Sequence, residues 1–177
     1  MKSIAVPTRE QVSPANQVLF DSLKKNIGSV PNLFAVYAHS ENALGTYLAL
    51  SGAKTSLRAK EKEAVNLIVS QVNGCEYCLA AHTAIAKKLG LTDEQILEIR
   101  RGSVSFDAKL DALVKLAKSI TENKGHADEQ LVANFFAAGY NEGSLIDVVI
   151  VVGDKTITNY IYALTGIPID FPAAPAI

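Results

Sequence analysis

Glycine residues that follow apolar segments of helical period restrict the possible folds of this chain more than any other feature. Each such segment ends at one of Gly28, Gly52, Gly74, Gly90 and Gly102. A glycine adopts the left-handed conformation that commonly follows the last turn of a helix, so it predicts a helix C-terminus in this position. Start signals match these ends: Pro14, Pro31 and a capping box at residues 92–95. The sequence therefore predicts a succession of short helices.

The predicted helices cover most of the chain. They are residues 14–25, 31–37, 41–52, 59–72, 75–89, 92–101, 106–122, 128–138 and 143–165. Within the last segment, the run of valine and isoleucine at 148–152 favours a strand by propensity, whereas the segment's length and lack of alternation favour a buried helix. We predict a helix there. The tail at 167–177 contains three prolines and is not expected to be helical.

Length and composition predict a folded domain. The chain has 177 residues, of which 49% are hydrophobic and 20% charged, so it can bury a core of its own. No internal repeat, low-complexity stretch or linker divides it. We predict a single all-α domain over residues 1–177, a helical bundle whose motif region is 28–90.

Charge and hydropathy make two classes of partner unlikely. The net charge is −1 and no cluster of basic residues appears, which argues against nucleic-acid binding. The N-terminus lacks the apolar stretch of a signal peptide, and the most apolar segment, 145–152, is interrupted by Asp147 and is too short to span a membrane. We expect a soluble, cytoplasmic protein.

Two cysteines and a histidine stand at the start of the predicted helix 75–89, in the pattern Cys75-x-x-Cys78-x-x-x-His82. At 100° per residue, all three side chains fall on one arc of about 120°, together with core-type aliphatic residues such as Ile85, whereas Thr83 falls outside it. We therefore expect the thiols and the imidazole to lie together on the core-facing side. In a reducing cytoplasm, such a cysteine pair is more often catalytic or metal-binding than a structural disulfide.

This arrangement suits thiol chemistry. Unpaired N–H groups and the positive end of the helix dipole favour a thiolate in the first turn. His82 lies one turn after Cys78 and is close enough to take its proton. Cys75 lies one turn before Cys78 and is close enough to form a disulfide with it after oxidation. The segment thus predicts a nucleophile, a base and a resolving thiol.

Other interpretations of these residues stay open. Cys75, Cys78 and His82 could be three ligands of a zinc site, which would need Glu63 or water as the fourth. They could also be small buried residues beside a hydrogen-bonded core histidine. A third alternative is a non-catalytic oligomer that senses redox state through reversible oxidation of the pair.

Glu63 is ambiguous by periodicity. On the predicted helix 59–72 it lies in a polar stripe with Asn66 and Ser70, opposite the apolar face. This position predicts a solvated carboxylate. The tight turn at 73–74 could still fold this helix back beside the next one and bring Glu63 to the thiols.

The motif region resembles a known family. The residues Glu63-Ala64-Val65-Asn66-Leu67, followed by Asn73-Gly74-Cys75-Glu76-Tyr77-Cys78-Leu79-Ala80-Ala81-His82, resemble the alkylhydroperoxidase D core of the carboxymuconolactone decarboxylase-like superfamily. The upstream Val30-Pro31-Asn32-Leu33-Phe34 and Ala38-His39-Ser40 are similar to the peroxidase-related members of that family. The resemblance is close over about residues 28–90 and looser beyond them.

The resemblance implies an all-α fold, assembly as a homo-oligomer such as a trimer or hexamer, and an antioxidant enzyme that reduces hydroperoxides. It implies that a thiol partner, such as a lipoyl-bearing protein, reduces the resulting disulfide, and no cofactor or metal is expected. By position in the motif, Cys78 is attacked by peroxide and Cys75 resolves it. His82 is then the base, and Glu63 polarises His82 through a proton relay.

One residue departs from the family pattern. Alkylhydroperoxidase D has a histidine immediately before its second cysteine, where this chain has Tyr77. A phenol, with an ordinary pKa of about 10, is a poorer proton shuttle at neutral pH. The departure affects peroxidase turnover and the choice of reductant. The decarboxylase branch does not depend on the cysteine pair, so lactone decarboxylation is disfavoured.

Overall fold

The computed structural model describes residues 4–177, and the regular structure in this range is entirely helical. The predicted all-α fold class is confirmed. After a short 3-10 helix at Arg9–Gln11, the α-helices are α1 (Pro14–Ile27), α2 (Asn32–Tyr37), α3 (Ala43–Ser51), α4 (Ala59–Val72), α5 (Glu76–Lys88), α6 (Asp93–Arg101), α7 (Ala108–Glu122), α8 (Glu129–Ala137) and α9 (Glu142–Thr165). Between residues 4 and 177, no helix is both long and apolar enough to cross a bilayer.

Contacts between Cα atoms group the described residues into two compact units. The first unit comprises residues 4–53 and Tyr160–Asp170, and the second comprises Lys54–Asn159 and Phe171–Ile177. The expectation of one domain stays a prediction, and residues 1–3 of the predicted range lie outside the described residues.

The first unit is built around α3, against which α1 and α2 pack. Tyr37 and Tyr47 stack with ring centroids 4.5 Å apart, which buries both rings. The Asn16 side chain donates to the carbonyl oxygens of Ala38 (3.2 Å) and Ser40 (3.0 Å). This amide satisfies carbonyl groups of the turn that follows the short helix α2.

The second unit is built around α4, which packs against α5, α6 and α7, while α8 packs against α7. Five aliphatic residues in the middle turns of α4 are almost completely buried: Ala64, Val65, Leu67, Ile68 and Val69. The Asn73-Gly74 turn, in which Gly74 has φ +65°, reverses the chain so that α5 returns alongside α4. The central position of α4 explains why more than one of its faces is buried.

The ambiguous segment 143–165 is a helix, as predicted. Val148, Val151 and Val152 are buried, whereas Ile146, Val149 and Ile150 are exposed. The alternation of buried and exposed residues has the period of a helix and not that of a strand.

The tail is non-helical, as its prolines predict. In the second unit, the Arg100 guanidinium donates to the carbonyl oxygen of Pro175 at 2.6 Å and to the Gln71 side chain at 2.9 Å. The ring of Phe171 lies edge-on against Tyr77, with centroids 5.6 Å apart. Within the second unit, residues 171–177 of the tail therefore pack beside the cysteine motif.

Candidate active site

The start of α5 carries both cysteines. We predicted that the helix begins at Cys75, but α5 begins at Glu76, and Cys75 is its N-cap residue. The Cys75 Sγ accepts a hydrogen bond from the Cys78 N–H at 3.2 Å. The two cysteines form a disulfide, with Cα atoms 5.3 Å apart. The Cys78 N–H in the first turn of α5 thus points at the Cys75 sulfur, and it would stabilise a thiolate there after reduction.

Both sulfurs are well covered, since Cys75 and Cys78 are each 2% exposed. Tyr77, between them in sequence, is equally buried and is in contact with Phe171 of the tail. A substrate or reductant therefore reaches the disulfide only after the covering residues move.

Glu63 meets His82 across the α4–α5 interface. His82 Nδ1 lies 2.5 Å from Glu63 Oε1, and the Asn66 side-chain amide donates to Glu63 Oε2 at 3.2 Å. The Glu63 residue is 5% exposed, so the periodicity-based prediction of a solvated carboxylate is wrong. The stripe of Glu63, Asn66 and Ser70 is buried because α5 covers it and Asn159 of α9 donates to Ser70 Oγ at 3.3 Å.

The electrostatic surroundings of Glu63 and His82 determine which of the two carries the proton. Burial lowers the pKa of His82, and the attraction of Glu63 only partly opposes that effect. Burial alone would raise the pKa of Glu63, but His82, the Asn66 amide and Lys155 together hold it below its ordinary value. At neutral pH the pair is therefore a carboxylate and a neutral imidazole. The imidazole donates its Nδ1–H to Glu63, which leaves the Nε2 lone pair to accept a proton.

The sequence interpretation missed a cationic residue near this pair. Lys155 of α9 is 5% exposed and interacts electrostatically with Glu63, His82 and Asp154. Burial lowers the pKa of Lys155, and the two carboxylates oppose the shift. The signal in the sequence was the adjacent charged residues Asp154 and Lys155, which directly follow the apolar run at 148–152.

The arc expected for α5 was only partly correct. Thr83, which we placed outside it, is buried, whereas Ile85, which we placed on it, is 40% exposed. Since α4 and α6 both pack on α5, the helix buries a broader surface than a single stripe.

Two further features define the limits of the site. Among residues 4–177, no group of three or more His, Cys, Asp or Glu side chains has a geometry that could hold a metal ion. A cavity of about 510 Å³ lies between the beginning of α4 and the end of α5, lined by Arg58, Leu89 and Phe106 among others. It is at the opposite end of both helices from the cysteines.

The amino-acid sequence is similar to one protein family and to two known proteins. The carboxymuconolactone decarboxylase family model matches residues 38–119. YdfG of Bacillus subtilis, an uncharacterised protein, is 26% identical over 117 residues, which are 64% of this chain and 78% of that protein. The alkyl hydroperoxide reductase AhpD of Mycobacteroides abscessus is 45% identical over 38 residues, 22% of each chain.

Solved structures support the same fold. An AhpD-core, peroxidase-related protein from Ralstonia eutropha superimposes with a TM-score of 0.84 at 17% identity, over 94% of this chain and 91% of that one. A peroxidase-related protein from a Silicibacter species gives 0.81 at 23% identity, over 94% and 90%. The debrominase Bmp8 gives 0.80 at 17% identity, over 96% and 93%. At these identities the likeness is one of fold.

Residues 38–119, a little under half of the chain, are thus similar to the carboxymuconolactone decarboxylase family, and the fold is shared with the AhpD-core and peroxidase-related structures. The solved structures that share this fold carry different names, a peroxidase-related protein and a debrominase among them. The similarity therefore supports the fold, and the chemistry has to be argued from the site.

Proposed function

We propose that this protein is a thiol-dependent peroxidase that reduces hydroperoxides through Cys78 and Cys75, with His82 as base and Glu63 as the group that polarises it. The observation that carries the proposal is the contact of His82 with the buried Glu63 carboxylate, one helical turn after Cys78. That contact fixes the tautomer whose Nε2 can take the thiol proton. A histidine that only filled core space could donate its N–H to a neutral carbonyl oxygen, which would avoid the cost of burying a charged carboxylate.

In the proposed first step, the Cys78 thiol gives its proton to His82, and the thiolate attacks the terminal peroxide oxygen. The O–O bond breaks, Cys78 becomes a sulfenic acid, and the leaving alkoxide takes the proton back from His82 as an alcohol. The Cys75 thiolate then attacks the sulfenic sulfur, which forms the disulfide and releases water after protonation. Peroxide has thereby gained two electrons and the cysteine pair has lost two.

An external dithiol, such as a lipoyl-bearing protein, would close the cycle by thiol–disulfide exchange. Attack on the Cys78 sulfur releases Cys75 as a thiolate, which is the better leaving group because its sulfur accepts the Cys78 N–H at the helix N-terminus. A cytoplasmic location would supply such reductants.

The direct test is peroxide consumption with a defined dithiol as reductant, in wild type and in two matched variants. C78S should abolish turnover. C75S should consume one equivalent of peroxide and leave a sulfenic acid that a dimedone-type reagent labels. Full activity in C78S, or labelling at Cys75 in that variant, would reject the assignment.

A redox sensor without turnover is the second candidate, and the 2% exposure of both cysteines favours it. It requires reversible oxidation of the Cys75–Cys78 pair with no sustained peroxide consumption. The peroxide-consumption assay separates the sensor from the peroxidase. A sensor consumes one equivalent of peroxide and then stops, whereas a peroxidase continues to consume peroxide as long as the dithiol is present.

We also propose a homo-oligomer, a trimer or hexamer, formed through α9. Its apolar residues Ile146, Ile150 and Ile157 are 62%, 43% and 42% exposed and follow one another at helical spacing. Exposed apolar residues in such a row are typical of subunit contacts. Light scattering on the wild type and on I150K should show a larger particle for the wild type only.

A further inference from the structure

Hydrogen bonds at two levels fix how α9 lies along α4. Asp147 Oδ2 accepts a hydrogen bond from the N–H of Ser56, which lies just before α4, at 2.6 Å. The Asn159 side chain donates to the Oγ of Ser70, which lies near the C-terminal end of α4. The two helices therefore run in the same direction over this stretch. Lys155, one turn before Asn159 on the same face, falls alongside the turn of α4 that carries Glu63.

Charge balance argues for an ammonium at this position. Asp154 and Lys155 are 4% and 5% exposed, so the buried cluster contains two carboxylates, one lysine and one imidazole. Two buried carboxylates beside a neutral imidazole would otherwise lack a compensating charge inside the domain. In addition, Asn66 Oδ1 and Asp154 Oδ1 are buried acceptors that no donor within residues 4–177 hydrogen-bonds, and acceptors of this kind suit an ammonium with three N–H donors.

We propose that Lys155 is a positioning residue of the thiol site: its buried ammonium, set against Glu63 and Asp154, keeps Glu63 ionised and His82 neutral, so that His82 is ready to take a thiol proton. The role of Lys155 in catalysis rests on the proposed function, whereas its effect on the protonation of His82 and Cys78 can be measured without it. Without Lys155, the Glu63 carboxylate would favour a protonated imidazole, which is unable to act as a base.

The groups that face His82 give the sign of the effect. Glu63 on α4 and Asp154 on α9 raise the pKa of His82, whereas Lys155 lowers it, and Lys62 acts on Lys155 in turn. From α6, Asp93 pairs with Lys87 at the far end of α5. Removing a positive charge favours the protonated form of every nearby group, so loss of Lys155 should make both thiol and imidazole deprotonate at higher pH.

The test measures the rate of alkylation of Cys78 by iodoacetamide in the reduced protein as a function of pH, with mass spectrometry to separate the Cys75 and Cys78 peptides. K155M should move the midpoint of the Cys78 profile about one pH unit upwards. D154N removes a negative charge next to it and should move the midpoint downwards. K155R keeps the charge and should restore most of the wild-type profile. The matched control is K88M, which removes an exposed lysine at the other end of α5.

Opposite shifts in K155M and D154N would support the proposal, because a purely structural defect has no reason to reverse sign. Coincident profiles of K155M and wild type, or an upward shift in D154N, would overturn it. If K155M fails to fold, the D154N profile and an NMR titration of the His82 ring in that variant still decide the matter. If the wild type consumes no peroxide while the shifts appear, the peroxidase proposal fails and the role of Lys155 stands.

Discussion

Replacing Glu63 with glutamine tests the proton relay most directly. The substitution keeps the shape of the side chain and removes only its charge. In the wild type, one carboxylate oxygen contacts His82 Nδ1 and the other accepts from the Asn66 amide. A glutamine can offer only one acceptor. Its NH₂ group must face either the imidazole, which forces the proton onto Nε2, or the Asn66 amide, which places two donors together.

The expected size of the effect follows from the charge that is lost. At roughly 4 Å and an effective dielectric constant of about 20, a carboxylate stabilises an imidazolium by about 4 kcal/mol. Each 1.4 kcal/mol corresponds to about a tenfold change in rate, and the amide recovers part of the interaction. We therefore expect E63Q to slow the reaction of Cys78 with peroxide by roughly 10²- to 10³-fold, within the range of general-base catalysis.

The assay is a single turnover: reduced enzyme is mixed with a hydroperoxide, and disulfide formation is followed at pH 7.5. The matched control is E61Q, which changes another buried carboxylate of the same helix. Glu61 binds Arg58 and Tyr140 at the start of α4, away from the cysteines. E61Q should lower stability but retain the rate.

A rate for E63Q within a factor of three of wild type would refute the relay. Equal losses in E63Q and E61Q would show that the helix, and not the Glu63 charge, is responsible. Thermal unfolding of both variants separates these outcomes from misfolding.

Three further predictions concern access, acid stability and the far end of α4. F171A removes the ring that covers Tyr77 and should speed reduction of the disulfide by a soluble dithiol several-fold, whereas an unchanged rate would mean that the tail is not a cover. Burial depresses the pKa of His82 in the folded state. The stability that the neutral imidazole contributes is therefore complete above about pH 6.5 and is lost as the pH falls through the folded pKa. Urea unfolding at several pH values should show a smaller loss of stability in acid for H82Q than for the wild type. Y140F removes the hydrogen bond to the buried Glu61 carboxylate and should cost about 1.5–3 kcal/mol in urea unfolding without changing Cys78 reactivity.

Most of the helices could be predicted because their ends are set by local interactions. Gly28 and Gly102 adopt left-handed conformations at helix ends, and Thr92 accepts a hydrogen bond from the Gln95 N–H, as the capping box predicts. The beginning of α5 was misplaced by one residue because Cys75 acts as the cap. Sulfur is not among the residues normally favoured there, so composition gave no signal.

The site was harder to predict because it depends on which helices surround α4. Periodicity assumes that a helix has one buried face, and under that assumption Glu63 would be solvated. A central helix with neighbours on several sides breaks the assumption. The resemblance of residues 63–82 to a known motif identified Glu63 correctly as a neighbour of His82, but it covered no part of α9. Lys155 could therefore be found only once α9 had been placed along α4.

The burial of these ionisable groups is itself an argument for function. Apolar side chains of similar volume would stabilise the interface of α4, α5 and α9 at least as well as Glu63, His82 and Lys155, since each buried charge has to recover its lost hydration from its partners. Glu63, His82 and Lys155 gather beside the redox-active pair, whereas the other buried carboxylate of α4, Glu61, is paired with Arg58 and Tyr140 at the start of the helix. A structural disulfide would need no base, no carboxylate and no ammonium beside it. Local departures from the best packing are expected where a protein does chemistry, and here they converge on the proton of a cysteine thiol.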